Sequence, residues 1–117
     1  MEQNLNEIVA AKNALVVQGQ IVAATEKYFA EEAQTLDFDG TATQGKSEMV
    51  AKMEGFAGAI AEVKAIELKH WAVRQKVSFA EFIFNFIMKD GSEVYWHEII
   101  RSEWEQGKIV HEQYFKA

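Results

Sequence analysis

The sequence predicts an α+β fold in which two or three N-terminal helices precede an antiparallel sheet. Three observations carry this. Apolar residues recur with helical spacing through the first half of the chain. From Glu62 onward the period changes to two, as in strands. The strand-like runs are separated by short polar turns, Asp90-Gly91 among them, with no helical stretch between them.

The elements follow in order. Leu5 to Phe29 carries Leu5, Ile8, Val9, Leu15, Val16, Ile21, Val22, Tyr28 and Phe29 as a helical stripe, with Ala and Glu filling much of the rest. Gly19 interrupts it and predicts a kink or two abutting helices. Gln34 to Phe38 reads as a short strand closed by the turn Asp39-Gly40. After Gly45, the residues Met49, Val50, Met53, Phe56, Ala57 and Ile60 lie on one face of a further helix. Four strands then follow, Val63–Val73, Val77–Met88, Glu93–Trp104 and Ile109–Phe115, joined at Arg74-Gln75-Lys76, Lys89-Asp90-Gly91 and Glu105-Gln106-Gly107-Lys108. Such a run of hairpins makes a meander, and the lack of helices between its strands argues against parallel crossovers.

The 117 residues fit one domain, taken as residues 1–117. Eight Phe, three Trp and three Tyr in a chain that is 49% apolar suffice for a core without disulfide or metal. There is no Cys, which excludes thiol nucleophiles and cysteine metal sites. A net charge of −6 with scattered Lys and Arg argues against nucleic acid as a partner. No window approaches the roughly 18 apolar residues of a membrane span, and Met1-Glu2-Gln3-Asn4 is polar and acidic rather than leader-like. The expectation is a cytoplasmic protein.

The strand around Phe82 is apolar on both faces, with Phe82, Phe84 and Phe86 on one and Ile83 and Ile87 on the other. An antiparallel sheet with one wet face alternates more cleanly. A homodimer through the outer, convex sheet face is therefore expected, because exposed Phe in such numbers calls for cover. Were the chain instead a protein-interaction module, the Phe82–Phe84–Phe86 face would be its exposed surface.

This order of elements resembles the NTF2-like fold, and local segments support the likeness. Tyr28-Phe29-Ala30-Glu31-Glu32-Ala33-Gln34-Thr35-Leu36-Asp37 resembles the helix-end and first-strand segment of ketosteroid isomerase and the SnoaL-like polyketide cyclases. Gly45-Lys46 is similar to the opening of the family's third helix, while Lys89-Asp90-Gly91 and Trp104 to Val110 are similar to its last two hairpins. The resemblance covers nearly the whole chain. It implies helices packed on a strongly curved antiparallel sheet, a cone whose open end holds a mostly apolar pocket for a small apolar molecule. It also implies isomerase, cyclase or lyase chemistry without a cofactor, or simple binding, since fold alone does not choose.

By this resemblance Asp37 takes the place of the isomerase's general-base aspartate, where burial would raise its pKa toward neutrality. The other reading of Asp37 is a solvated edge-strand carboxylate. Phe38-Asp39 departs from the proline often found next in the isomerase. The helix-one tyrosine falls near Asn13, Val16 or Val17 and the late aspartate near Ile100, so steroid isomerisation is not expected. Relatives with the Gly-Lys-Ile-Val turn carry inward polar residues where Glu112 and Tyr114 stand here, and strand alternation puts these two on one face. The sharpest constellation is Asp37 with Glu112 as acid and base and Tyr114 as donor. Asn85, Glu98, Tyr28 and Trp104 are the further pocket candidates. Against it, Glu98 pairs with Arg101 or Lys108 at the surface, Glu112 is solvated and Tyr114 is core.

His70-Trp71 and Trp96-His97-Glu98 invite a metal reading, but strand neighbours point to opposite faces and no HExxH spacing occurs. No metal site is expected. The leading reading is proton abstraction beside a carbonyl by Asp37; the alternatives are a non-catalytic binder of a hydrophobic ligand and a protein-interaction module.

Overall fold

A computed structural model describes residues 4–117; Met1, Glu2 and Gln3, on which part of the leader reading rests, lie outside the described residues. Helix α1 spans Leu5–Val17, with the Asn4 side chain accepting a 2.7 Å hydrogen bond from the Asn6 backbone N–H as its N-cap. Gly19, at φ 82°, turns the chain out of it into α2, Ile21–Tyr28, so the interruption separates two helices. Strand β1 is Phe29–Leu36, a loop leads to the short β2, Ala42–Gln44, and α3 is Lys46–Gly58. The meander follows as β3 Ile60–Arg74, β4 Val77–Met88, β5 Glu93–Glu105 and β6 Lys108–Lys116. Among the described residues no helix is long and apolar enough to cross a membrane.

The six strands form one sheet in the order β2-β1-β6-β5-β4-β3. Two expectations are corrected here. The first strand begins at Phe29, directly off α2, rather than at Gln34, because Phe29, Ala33 and Thr35 are all buried along it. The sheet is mixed rather than wholly antiparallel, because β1 pairs parallel with β6, matching Thr35 to Glu112. The crossover between them is the entire remainder of the chain, which a search for a helix between adjacent strands does not see. Register shifts at three points of the β3–β4 pair act as bulges, which bend a strand and curl the sheet.

The helices cover the inner face. Phe82, Phe84 and Phe86 point into it at 7% exposure or less and pack with Val16, Ala24, Ala80 and Ile100. The Phe82–Phe84–Phe86 face is therefore the core face, not an exposed interaction surface; burial of each ring is worth about 2 kcal/mol. A second cluster joins Val9, Tyr28, Phe29, Ala33, Met49, Trp104 and Ile109. The outer face carries Phe79, Ile83 and Ile99 with Tyr95 and Phe115, of which Phe79, Tyr95 and Phe115 are exposed.

Helix α1 buries Val9, Lys12, Asn13 and Val16, which is the i, i+3, i+4, i+7 stripe of a helix. Its two middle members are polar. That departure from an apolar stripe sets a lysine and an asparagine in the interior of the fold.

Candidate functional site

Between the helices and the inner face lies a cavity of about 350 Å³. Apolar groups from every layer wall it, including Val16 of α1, Met53 and Phe56 of α3, Phe84 and Phe86 of β4 and Trp96 of β5. Phe56 stacks on Trp96 at 5.3 Å between ring centroids and meets Phe86 edge-on at 5.6 Å. Into this apolar shell project Lys12, Asp37, Lys52, Glu98, Glu112 and Tyr114.

Strand register explains the cluster on the late strands. Ser102 pairs with Glu112 and Ile100 with Tyr114, so Glu98, Ile100 and Ser102 of β5 share the inner face with Glu112 and Tyr114 of β6. The one irregularity of this pair falls between Glu103 and Trp104, beyond these residues, and does not reverse them. Glu112 is 3% exposed and is the hub of the cluster. Its Oε2 accepts from the Ser102 hydroxyl at 2.6 Å and its Oε1 from the Tyr114 hydroxyl at 2.6 Å. Lys12 Nζ stands 3.8 Å from Oε2, an ion pair without a hydrogen bond. Burial, the Glu112 charge and that hydrogen bond hold the Tyr114 hydroxyl well above its ordinary range.

Glu98 differs from its neighbours. It is 8% exposed, and among the described residues its carboxyl has neither a hydrogen bond nor an ion pair. Arg101 instead pairs with Glu103 at 2.7 Å, and Lys108 donates to the Lys27 carbonyl at 2.6 Å. Burial first, then the charges of Glu112 and Asp37, push the Glu98 carboxyl up to about 7, against a smaller downward pull from Lys12.

Asp37 follows directly on β1 and lines the cavity, where its Oδ2 accepts from Lys52 Nζ of α3 at 2.7 Å. It is thus a paired, half-buried carboxylate rather than a desolvated one. Three pocket candidates lie elsewhere. Asn85 sits on the outer face, opposite Tyr95, because on β4 the even-numbered residues Phe84 and Phe86 point in. Tyr28 and Trp104 pack edge-on against each other at 6.2 Å in the second core cluster, with the Trp104 indole donating to Ser78 Oγ at 2.9 Å. His97 points outward, where it and His70 both meet Glu81, at 2.6 and 2.9 Å, and so it shares no ion with Glu98. The sequence reading missed both cavity cations, Lys52 and Lys12. For Lys12 a signal was present: it lies three residues after Val9 and four before Val16, within the buried stripe.

The fold and site together define a class: an α+β domain with an internal cavity in which ionisable groups face an apolar chamber. No protein-family profile and no curated protein matches the sequence. Solved structures do match its fold. One is a candidate SnoaL-like polyketide cyclase from Mesorhizobium loti, 23% identical with a TM-score of 0.85, covering 97% of this chain and 99% of that one. Another is a protein of ketosteroid isomerase-like fold from Catenulispora acidiphila in complex with trimethylamine, 15% identical with a TM-score of 0.76, covering 95% and 85% of the two chains. A third is TerC co-crystallised with polyporic acid, 7% identical with a TM-score of 0.73 over 97% and 91%. These likenesses establish the architecture: three helices on a six-stranded mixed sheet, the fold of NTF2-like, SnoaL-like and ketosteroid isomerase-like proteins.

Proposed function

We propose that this chain is a SnoaL-like, cofactor-independent isomerase or cyclase that removes a proton next to the carbonyl of a small, largely apolar molecule. The observation that carries the reading is the Glu98 carboxyl, unpaired among the described residues and facing an apolar cavity of about 350 Å³. A carboxyl that titrates near neutrality is half ionised there, which is the condition for taking and returning a proton with comparable ease. In this reading Glu98 is the base, the role that the family resemblance implies for Asp37. Glu112 and Tyr114 fix the charge pattern of the wall beside it, and Asp37 with Lys52 shapes the chamber. The ligand complexes of two structural neighbours support a small-molecule cavity.

The test is exchange of α-protons into D2O, followed by NMR on a panel of bicyclic and aryl ketones. The wild type accelerates exchange for at least one of them, and Glu98→Gln abolishes it while Asp37→Asn retains it. Loss in Asp37→Asn alone would return the base to Asp37. Binding without exchange across the panel would leave a non-catalytic pocket.

The same reading includes a homodimer through the outer sheet face, supported by Phe79, Tyr95 and Phe115 exposed at 41%, 60% and 40%. Sedimentation velocity of the wild type and Phe79→Lys tests it: a dimer that the substitution dissociates is expected, and a wild-type monomer would refute it.

A further inference from the structure

Among the described residues, two groups that face the cavity have unused hydrogen-bonding capacity, and they are opposite in kind. One is the Glu98 carboxyl. The other is the Lys12 ammonium, 5% exposed and, among the described residues, without a hydrogen bond to any acceptor. An ammonium carries three N–H donors. Its ion-pair partner, Glu112, already accepts from Ser102 and Tyr114 and stays 3.8 Å away. The neighbouring donor is also committed, because the Tyr114 hydroxyl is turned to Glu112. Lys52, the other cation of the cavity, is held by Asp37 at 2.7 Å. Lys12 is thus the cation of this wall whose donors remain free for a ligand.

We infer that Lys12 is a further catalytic residue, holding the carbonyl oxygen of the substrate while Glu98 works on the adjacent carbon, and that the substrate class is neutral, enolisable ketones. The inference rests on the proposed reading of the cavity as an enolising site.

The step balances without a co-reactant. The Glu98 carboxylate takes the α-proton and becomes the acid; the C–H pair forms the new C=C bond, and the carbonyl π pair moves onto oxygen. That oxygen gains its charge against the Lys12 N–H donors, in a chamber whose apolar walls strengthen the interaction. Return of the proton from Glu98 to carbon, at the same or a conjugated position, restores the base. The class follows from charge. A substrate already bearing a carboxylate would meet Asp37, Glu98 and Glu112 in the same cavity, with Lys52 paired and Lys12 alone to receive it. A neutral ketone presents an acceptor to Lys12 and becomes negative only in the transition state.

The probe is 4-nitrophenol, whose phenolate band reports the ionisation state of an oxygen seated at the site, read by absorbance in wild type, Lys12→Met and Lys12→Arg. In the wild type near pH 6 the bound probe is expected as phenolate; in Lys12→Met it binds neutral, and Lys12→Arg restores part of the band. The ketone whose protons exchange should lose about a hundredfold in kcat in Lys12→Met with little change in KM, the cost typical of removing one oxyanion donor. A neutral probe bound to the wild type would overturn the role of Lys12 whether or not the variants fold. So would exchange undiminished in Lys12→Met, although that result leaves the enolising site itself standing. No exchange by the wild type, with the probe bound as phenolate, overturns catalysis and with it the role assigned to Lys12, leaving only an anion-binding pocket.

Discussion

Replacing Glu98 by Gln should make the protein more stable, and only above a defined pH. In the folded chain burial and the Glu112 and Asp37 charges keep Glu98 protonated up to about pH 7, whereas the free carboxyl titrates at 4.5. Below about pH 4.5 both folded and unfolded chains hold the proton, and the site costs nothing. Between those limits the unfolded chain releases its proton while the folded chain keeps it, so stability falls as pH rises. Above about pH 7 both are ionised and the cost is constant, about 3 kcal/mol at 1.36 kcal/mol per pKa unit. Gln fills nearly the same volume and has no charge to desolvate. The stability difference between Glu98→Gln and wild type should therefore grow by about 3 kcal/mol between about pH 4 and pH 8.5. Urea titrations of both proteins at both pH values measure it, and other titrating groups largely cancel in the difference. A difference that is flat with pH, or that turns against Gln at high pH, would refute the desolvated-carboxyl argument and the base assigned from it.

Three further outcomes follow from the same geometry. Glu112→Gln leaves Lys12 buried without its counter-charge, which should cost about 3 kcal/mol in denaturant titration, with Lys12→Met recovering a large part in the double variant. Asp37→Asn breaks a pair whose side chains are 28% and 36% exposed, so thermal unfolding should register a loss within about 1 kcal/mol; a much larger loss would make Asp37 structural. In an alkaline absorbance titration, Tyr114 should stay protonated beyond the range where ordinary tyrosines ionise, and Tyr114→Phe should remove that late component.

The meander was legible in the sequence because each of its strands is long, alternates and ends in a turn with its own chemistry. The β4 limits, Val77 to Met88, are those that periodicity and Asp90-Gly91 imply. That Glu112 and Tyr114 share a face was legible for the same reason, whereas the place of Glu98 beside them depended on a register that a bulge would have reversed. What escaped depended on partners distant in sequence. Nothing local at Gln34 or Thr35 announces β6 as a neighbour, so the parallel pair was missed. Asp37 carries no local sign that Lys52, nearly two turns into the next helix, will pair with it. Asn85 does share a face with Ile83 and Ile87, as alternation implies, but that face is the outer one; a period of two separates the faces without saying which of them the helices cover. Lys12 was overlooked because a lysine in a helical stripe is ordinarily read as solvent-facing.

The parallel β1–β6 pair also sets when the cavity can exist. Phe29 finds its partner Ile109 only after the whole intervening chain has been made and looped back. Hairpins β3–β4 and β4–β5 join residues close in sequence and can close early, whereas β6 must seat itself between β5 and β1. Glu112 and Tyr114 ride on that strand, so the charged wall arrives with the last piece of the sheet. On the ribosome that wall is therefore incomplete until synthesis has passed β6: a chain stalled before it would already hold Lys12, Asp37, Lys52 and Glu98, but neither the counter-charge of Lys12 nor the parallel strand that closes the sheet against β1.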